Sequence, residues 1–264
     1  MPKTIRMELN LKNKYFLVTG AGGGFGRAIA ENLIKEGANI IANARTEENL
    51  ISLKKLAPKQ VQYLAADITI ATEQEKLLDM IGDTQLSGAV INAGGPPAKS
   101  AMETRLKDWD DAYKSVMRWK IRLAKKLVIR FINAQYGRIV FIESISVKQP
   151  VENLVLSNSF RMAMVGYIKT LSQEVGKYGV NMNIMAPGYH DTHAMKRIIA
   201  KKSESKGISI DEARSYIEAE TMMGKMGDPN DFASLALWLL SPHSRYITGQ
   251  TISVDGGLTK GVFG

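Results

Sequence analysis

The chain has 264 residues, 45% of them hydrophobic, which is enough to bury the core of one α/β domain. It has no cysteine and only three histidines, so disulfides and cysteine nucleophiles are excluded and we expect no metal site. The net charge of +9 favours polyanions, but the basic residues are spread along the chain, with denser patches at 118–126 and 196–206. We interpret them as a solvated surface that also attracts an anionic ligand, and expect no nucleic-acid partner.

The sequence contains no candidate membrane span. No apolar run approaches the ~18 residues that a span needs, and residues 1–14 mix charged and apolar side chains without the hydrophobic core of a signal peptide. We therefore expect a soluble, cytoplasmic protein that has no membrane partner.

Short runs rich in Val and Ile alternate with amphipathic segments of helical length, which predicts a doubly wound parallel sheet. The predicted strands cover residues 15–19, 39–42, 62–65, 89–92, 138–142, 181–185 and 251–254. There is no internal repeat, low-complexity tract or linker. The prediction is a single Rossmann-like α/β domain over residues 1–264 with a seven-stranded parallel sheet.

A glycine-rich turn follows the first strand. It reads Thr19-Gly20-Ala21-Gly22-Gly23-Gly24-Phe25-Gly26. A helix is predicted to begin near Arg27, so the turn would present backbone N–H groups and a helix N-terminus to a pyrophosphate. A tight turn without a ligand is the alternative interpretation. The order Thr-Gly-x-x-x-Gly-x-Gly resembles the short-chain dehydrogenase/reductase family, and this resemblance implies cofactor contacts at Thr19, Gly20, Gly22, Gly24, Phe25 and Gly26.

Four later segments match the same family in the same order. Two of them follow the third and fourth predicted strands, the third is a Pro-Gly-x-x-x-Thr turn after the sixth, and the fourth is residues 248–257 with their Asp-Gly-Gly close. Each of the first two alone is compatible with an ordinary turn between a strand and a loop. The resemblance implies further cofactor contacts at Asp67, Ile68, Asn92, Ala93, Gly94, Pro187, Gly188 and Thr192.

The end of the second strand bears on the choice of cofactor. Ala44 stands where NAD-preferring members of the family usually carry Asp, and Arg45 stands where NADP-preferring members often carry Arg. An arginine can hold a phosphate bidentately, so NADP is favoured and NAD is the alternative. Position 23, another common basic site in NADP-binding members, is Gly. A solvated Arg45 at the start of a helix is the other interpretation.

The catalytic pattern of the family is altered in this chain. Its members use a Tyr as proton donor, a Lys four residues later, a Ser thirteen residues before the Tyr, and an Asn on the preceding helix. Here Ser144 falls on the Ser place, Ser157 on the Tyr place and Arg161 on the Lys place. The Asn place falls near Val116, with Met117 beside it, and none of the nine tyrosines has Lys four residues later.

These replacements change what the site can do. The Ser157 hydroxyl is far harder to ionise than a phenol, so it does not replace Tyr as a tuned acid or base. Arg161 keeps a positive charge one helical turn away and can hold ribose hydroxyls or an oxyanion, but it is a poor proton donor. The alternative is that Ser157 or Asn158 caps a helix and Arg161 is structural.

If proton transfer persists, another group must carry it. His190 follows the Pro-Gly turn that the fold brings near the nicotinamide, and histidine titrates in the useful range, so His190 is the first candidate. Tyr189, Glu143 and Lys148 are also close to the expected site. A surface or packing role explains each of these side chains more simply.

Together these residues predict an NADP(H)-dependent oxidoreductase that acts on a small-molecule carbonyl or alcohol. Ser144 would orient the substrate oxygen, and Arg161 would anchor cofactor or substrate. The rival prediction is a nucleotide-binding sensor or assembly protein that has lost turnover. Residues 189–226 are expected to form a helical substrate lid, with helices at 194–206 and 210–223.

The resemblance also implies a homo-oligomer, with a tetramer as the expected state. In this family two long helices pair across symmetric interfaces, and here they are predicted near 109–133 and 158–178. The second of these helices carries the apolar residues Met162, Val165, Leu171 and Val175.

Overall fold

In the computed structural model, which describes residues 8–262, seven strands pair as one parallel sheet. In chain order they are β1 (Tyr15–Thr19), β2 (Asn39–Ala44), β3 (Val61–Ala65), β4 (Leu86–Ile91), β5 (Gly137–Ile142), β6 (Val180–Pro187) and β7 (Thr251–Val254). Across the sheet the order is β3-β2-β1-β4-β5-β6-β7. The strand order reverses between β1 and β4, and parallel α/β sheets bind their ligands at the carboxyl ends of the strands at such a point.

All seven predicted strands are confirmed, and the differences lie at their ends. β2 continues to Ala44 because Asn43, which interrupts the apolar run, is satisfied inside the sheet: its Nδ2 donates to the Leu64 and Ala66 carbonyls, at 3.0 and 3.2 Å. β4 begins at Leu86, three residues earlier than predicted, because the backbone pairs through the polar and small residues that precede the apolar run.

Nine α-helices lie within residues 8–262. They are α1 (Gly24–Lys35), α2 (Glu47–Leu56), α3 (Ala71–Ile81), α4 (Leu106–Ala112), α5 (Trp119–Asn133), α6 (Val155–Val175), α7 (His193–Lys206), α8 (Ile210–Glu218) and α9 (Pro229–Leu240). A π-helical turn, Tyr113–Arg118, joins α4 to α5. No helix in this part of the chain is both long enough and apolar enough to cross a bilayer.

Three predicted helix boundaries are wrong. α1 begins at Gly24 rather than near Arg27, because Gly23 provides the extended residue that precedes a helix. α6 begins at Val155, so Ser157 and Asn158 lie inside its first turn and neither is the cap residue. The second lid helix ends at Glu218, and residues 219–223 form turns instead.

Hydrophobic clusters cover both faces of the sheet. Consecutive strand residues point to opposite faces, so Phe16 belongs to the cluster under α1 and α9, while Leu17 belongs to the cluster under α3, α5 and α6. The largest fully buried side chains on the helices are Trp119, Lys120 and Phe131 of α5 and Phe232 of α9. Burial on both faces explains the nearly continuous apolar runs of β1 and β5.

Residues 189–226 contain α7 and α8, which pack on each other around a small separate cluster. Its buried members are Met195, Ile199, Ala213, Ile217 and Met226. The two helices therefore form a unit of their own beside the carboxyl end of β6. Their role as a substrate lid stays a prediction.

Candidate active site

The carboxyl ends of β1 and β4 are joined through one side chain. Thr19 is fully buried, and its hydroxyl donates to the Asn92 carbonyl at 2.8 Å while accepting from the Asn92 amide at 2.8 Å. Two segments predicted to bind cofactor, the glycine-rich turn and the turn after β4, are thereby held side by side. They lie where the strand order reverses, which is the expected ligand position of such a sheet.

The glycine-rich turn, residues 20–26, requires glycine at two positions for different reasons. Gly20 has a φ of +65°, and a Cβ there would lie 2.6 Å from Asn92 Nδ2. Gly26 lies against the Gly20 carbonyl, where a Cβ would collide with the backbone oxygen. The turn thus closes tightly on itself and on Asn92, which is the close backbone approach that a phosphate cradle needs.

The outer side of the same turn is open. A Cβ at Gly23 would meet no atom of a more distant residue within 4 Å, and the same holds at Gly94 in the neighbouring turn after β4. The first turn of α1 contains no acidic residue, so no carboxylate of that turn neutralises the partial positive charge of the helix N-terminus. An open backbone face at such a terminus fits the pyrophosphate of a dinucleotide.

The end of β2 lies beside this cradle. A Cβ at Gly22 would be 3.0 Å from the Ala44 Cβ, so the last residue of β2 lies close to the glycine-rich turn. Arg45 is the next residue in the chain. Arg45 is exposed and makes no hydrogen bond or ion pair with any residue from 8 to 262. Asp67, after β3, accepts hydrogen bonds from the Thr69 amide and hydroxyl, at 2.9 and 2.8 Å, which fix its carboxylate at the same edge.

The turn after β6 approaches the cradle from the other side. Gly188 donates to the Val254 carbonyl at 3.0 Å, and a Cβ at Gly188 would lie 2.7 Å from the Asp255 Cβ. Thr192 caps α7, and its methyl group would be 3.7 Å from a Cβ at Gly24. Thr192 therefore lies beside the glycine-rich turn.

A buried group of charged side chains lies after β5. The Glu143 carboxylate, which follows the strand directly, accepts from Lys120 Nζ at 2.6 Å and from Arg161 Nη1 at 2.9 Å. Arg161 Nε donates to Ser157 Oγ at 3.1 Å. The side chains of Glu143, Lys120 and Arg161 are 0%, 2% and 8% exposed. We call these four residues the charged cluster.

The charged cluster carries two positive charges and one negative charge. Removing charges from water is costly unless they are paired, and here one carboxylate serves both cations. Burial, with a smaller contribution from the charge of Arg161, lowers the pKa of Lys120 to about 8 even though Glu143 opposes both effects. The site therefore contains a lysine that is charged at pH 7 and loses its charge around pH 8.

Two predicted catalytic residues, Arg161 and Ser157, belong to this cluster and a third, Ser144, adjoins it. Arg161 Nη2 would lie 3.4 Å from a Cβ at Gly95, so the guanidinium faces the turn after β4. Ser144 follows Glu143, and its hydroxyl accepts from the Ser146 amide at 3.1 Å, which caps the 3₁₀ turn Ile145–Val147. The structure thus brings Arg161 together with Ser157 and with the turn after β4, which the sequence predicts to bind cofactor.

His190 is placed differently from a catalytic residue. Its ring is 4% exposed and meets the rings of Phe25 and Phe232 edge-on, with centroids 5.0 and 5.5 Å away. Its Nδ1 lies 3.2 Å from the Gly188 carbonyl oxygen. Burial lowers the pKa of His190 below its usual value, so the neutral form is favoured. These contacts favour a structural role, and proton transfer by His190 stays an unsupported prediction.

Tyr189 forms a hydrogen bond within the 189–226 segment. Its hydroxyl donates to the Glu220 carboxylate at 2.9 Å, and burial together with this bond raises the pKa of Tyr189 to about 12. A phenol with that pKa is less suited to release a proton near neutral pH than the tuned tyrosine of the family.

Sequence reasoning missed Lys120 and set Glu143 aside. It placed 118–126 in a solvated basic patch, but Lys120 is buried, and Val116 at the expected Asn place is buried and apolar. A signal was available, because Lys120 shares one helical stripe with Ala124, Leu127 and Phe131, all buried. A lysine on a buried stripe needs a carboxylate partner, and the partner was the acid at the end of β5.

Comparison with known proteins covers almost the whole chain. A family model described as Enoyl-(Acyl carrier protein) reductase matches residues 20–259. The 3-oxoacyl-(acyl-carrier-protein) reductase FabG of Vibrio harveyi is 29% identical over 252 residues, which are 95% of this chain and 99% of that protein.

Two solved structures illustrate the shared fold. L-sorbose reductase from Gluconobacter frateurii, complexed with NADPH and L-sorbose, has a TM-score of 0.91 and 25% identity over 97% of this chain and 100% of that one. A variant of actinorhodin polyketide ketoreductase with NADPH has a TM-score of 0.89 and 27% identity over 94% and 98% of the two chains.

Proposed function

The chain belongs to the short-chain dehydrogenase/reductase family, and from that premise we propose that it is an NADP(H)-dependent oxidoreductase acting on a carbonyl or alcohol group. The observation that carries this proposal is the glycine-rich turn, which closes on Asn92 and leaves its outer backbone face open. NADPH is part of both solved complexes described above.

The proposal assigns each part of the cofactor to residues of this chain. The backbone of residues 20–26 would hold the pyrophosphate, and Arg45 would hold the 2′-phosphate, since its side chain is exposed at the end of β2 without a protein partner in the described part of the chain. Asp67 and Ile68 would contact the adenine. The bound cofactor supplies or accepts the hydride.

The substrate oxygen would lie between Ser144 and Arg161. Ser144 is half-buried beside Glu143, and its hydroxyl can donate to that oxygen while accepting from Ser146. The fixed guanidinium of Arg161 stabilises negative charge that develops on the oxygen, because that side chain is only 8% exposed. Arg161 also remains positioned to hold ribose hydroxyls, since it faces Gly95.

Because Ser157 stands at the place of the family's Tyr, the reaction lacks the usual phenol as proton donor, and this lowers the expected rate. Loss of a general acid costs about 10²- to 10⁴-fold in rate. We therefore propose slow turnover of simple ketones, unless the natural substrate carries its own proton donor. The second candidate, a nucleotide sensor without turnover, is favoured by the same observation that Ser157 replaces the phenol.

One experiment separates these functions. Dissociation constants for NADPH and NADH are measured by fluorescence, and NADPH oxidation is then followed with a panel of ketones, aldehydes and hydroxy acids. An oxidoreductase binds NADPH more tightly than NADH and oxidises it with at least one substrate, at a rate that Ser144→Ala lowers. A sensor binds NADPH and never turns over. Failure to bind either cofactor would overturn the proposal.

We also propose a homo-oligomer, with a tetramer as the expected state. Exposed apolar side chains on the helices concerned include Tyr113, Ile129 and Met162, which are 41%, 59% and 48% exposed. Val175, which was expected to contribute, is instead buried in the core of its own chain. A monomer mass by light scattering at micromolar concentration would contradict this proposal.

A further inference from the structure

The charged cluster distributes one carboxylate between two cations from different helices. Lys120 of α5 approaches one Glu143 oxygen at 2.6 Å, and Arg161 of α6 approaches the other at 2.9 Å. Because Glu143 is already compensated by Lys120, the charge of Arg161 is only partly neutralised. The cluster thus presents a net positive charge from Arg161 toward the turn at Gly95.

The situation changes when Lys120 is neutral. Glu143 would then have Arg161 as its sole cationic partner, and the two would form a neutral pair. In a buried site such a pair holds its charges together, since water is not available to compensate either partner. The electrostatic attraction that Arg161 exerts on a bound oxygen would fall, although its position in the fold would stay the same.

We propose that Lys120 is a positioning residue, which by sharing Glu143 leaves the positive charge of Arg161 only partly neutralised and its guanidinium directed toward bound cofactor or substrate. Lys120 itself contacts neither. This inference rests on the proposed function, because it deepens the assignment of Arg161 as the anchor of that site. It also makes ligand binding dependent on the protonation of a lysine outside the family's own pattern.

The surroundings of Lys120 restrict which groups control its charge. Glu143 faces it from the end of β5, and Arg161 acts on it from α6. On its own helix the neighbouring group is the Trp119 ring, with Nζ 6.0 Å from the centroid. No other titratable group in the described chain is a source of its shift. The midpoint near pH 8 therefore belongs to the charged cluster as a unit.

The local backbone supports the same assignment. The π-helical turn Tyr113–Arg118 ends just before α5, and such turns shift the register of a helix and are frequent at functional sites. Lys120 lies in the first turn after it and is buried against the carboxyl edge of the sheet through Glu143. Lys120 is thus a charged residue on the buried face of α5, which is otherwise apolar.

The test compares Lys120→Arg and Lys120→Met, with Lys126→Met as a matched control on the exposed side of the same helix. The dissociation constant of NADPH and kcat/KM are measured between pH 6.5 and 10. In the native protein both should worsen above pH 8, by about tenfold for each unit beyond the midpoint. Lys120→Arg should remove this alkaline limb, because arginine keeps its charge.

Lys120→Met should bind NADPH weakly at every pH, without an alkaline limb, whereas Lys126→Met should behave as the native protein. Thermal unfolding of each variant shows whether it is folded. If Lys120→Arg does not fold, the profiles of the native protein and of Lys120→Met decide, and an alkaline limb that persists in Lys120→Met overturns the proposal. A limb that persists in folded Lys120→Arg also overturns it.

A second readout does not depend on cofactor. In the native protein the Lys120 side-chain ¹³Cε signal and the Arg161 ¹⁵Nε signal are followed by NMR against pH. The proposal requires the two chemical shifts to change with the same pH midpoint. An Arg161 chemical shift that stays constant while Lys120 titrates overturns it. If the native protein binds no NADPH at any pH, the proposed function fails, while these NMR titrations still decide the coupling of Lys120 to Arg161.

Discussion

The glycine-rich turn and the charged cluster both lie at the carboxyl ends of the strands, but different kinds of interaction hold them together. In the cradle, Gly20 and Gly26 bring backbone against backbone, and the Thr19 hydroxyl joins two strand ends. In the charged cluster, Glu143 joins two cations that come from separate helices. The first depends on the absence of side chains, and the second depends on their charge.

This difference determines what each region tolerates. A backbone cradle fails when atoms are added, and it is indifferent to pH because its donors do not titrate. A buried group of charges fails when one partner is removed, since the remaining charge loses its compensation. The glycine-rich turn thus keeps the family's glycine pattern, while Ser157 and Arg161 of the charged cluster stand at the places of the family's Tyr and Lys.

The largest effect is expected for Glu143→Gln. This change keeps the size of the side chain but leaves Lys120 and Arg161 buried without a carboxylate. Breaking a buried pair in this way costs about 3 to 5 kcal/mol. The free energy of unfolding, measured in urea at pH 7, should fall by that amount.

The matched control is Glu75→Gln. Glu75 pairs with Arg122 of α5 at 2.6 Å, but both side chains are about two-fifths exposed, at 43% and 39%. Exposed pairs contribute only about 0 to 1 kcal/mol. Similar small losses in the two variants would mean that Glu143 is not the centre of a buried cluster.

A smaller effect is expected for Gly26→Ala. Its Cβ would meet the Gly20 carbonyl, and forcing extra atoms into a packed region costs about 1 to 3 kcal/mol. Urea unfolding should show this loss, and NADPH binding should weaken because the turn can no longer close. Gly23→Ala adds the same methyl group into open space, so it should lose less stability than Gly26→Ala, with only the small cost of alanine at a helix cap. Equal losses for both would show that the cradle is not closed at Gly26.

The same contrast explains how far the sequence could be interpreted. The seven strands and the glycine-rich turn between β1 and α1 were predicted correctly, because alternation of apolar runs and the order of Gly20, Gly24 and Gly26 are local features. The hydrogen bonds between Thr19 and Asn92 link two such motifs, the glycine-rich turn and the turn after β4. Their proximity followed from the predicted fold.

The charged cluster could not be found in that way. Lys120 and Glu143 are 23 residues apart and meet only because α5 packs beside the carboxyl end of β5. His190 was selected for its chemistry, but its burial between Phe25 and Phe232 depends on α9, which comes later in the chain. Side-chain pairing across elements is set by tertiary packing, which local spacing does not encode.

The choice of cofactor should change with Arg45→Ala. A hydrogen bond to a charged group contributes about 1.5 to 3 kcal/mol, so the preference for NADPH over NADH should fall by about tenfold or more. Affinity for NADH should hardly change. Lys59→Ala, an exposed cation just before β3 at the opposite edge of the sheet, controls for net charge. Equal affinities for both cofactors in the native protein would show that Arg45 is only a surface residue.

The smallest effect is expected from His190, in the pH dependence of stability. Burial lowers its pKa from the ordinary 6.5, so below about pH 6.5 the unfolded chain binds a proton that the folded chain still rejects. The stability that neutral His190 contributes is therefore lost as the pH falls from 6.5 through the folded pKa. Urea midpoints at pH 7.5, 6.5 and 5.5 should show a shallower decline in His190→Leu, whereas His193→Gln, at an exposed position, should keep the native decline. If His190→Leu keeps the native pH dependence but abolishes turnover, the ring belongs to the reaction rather than to the packing between Phe25 and Phe232.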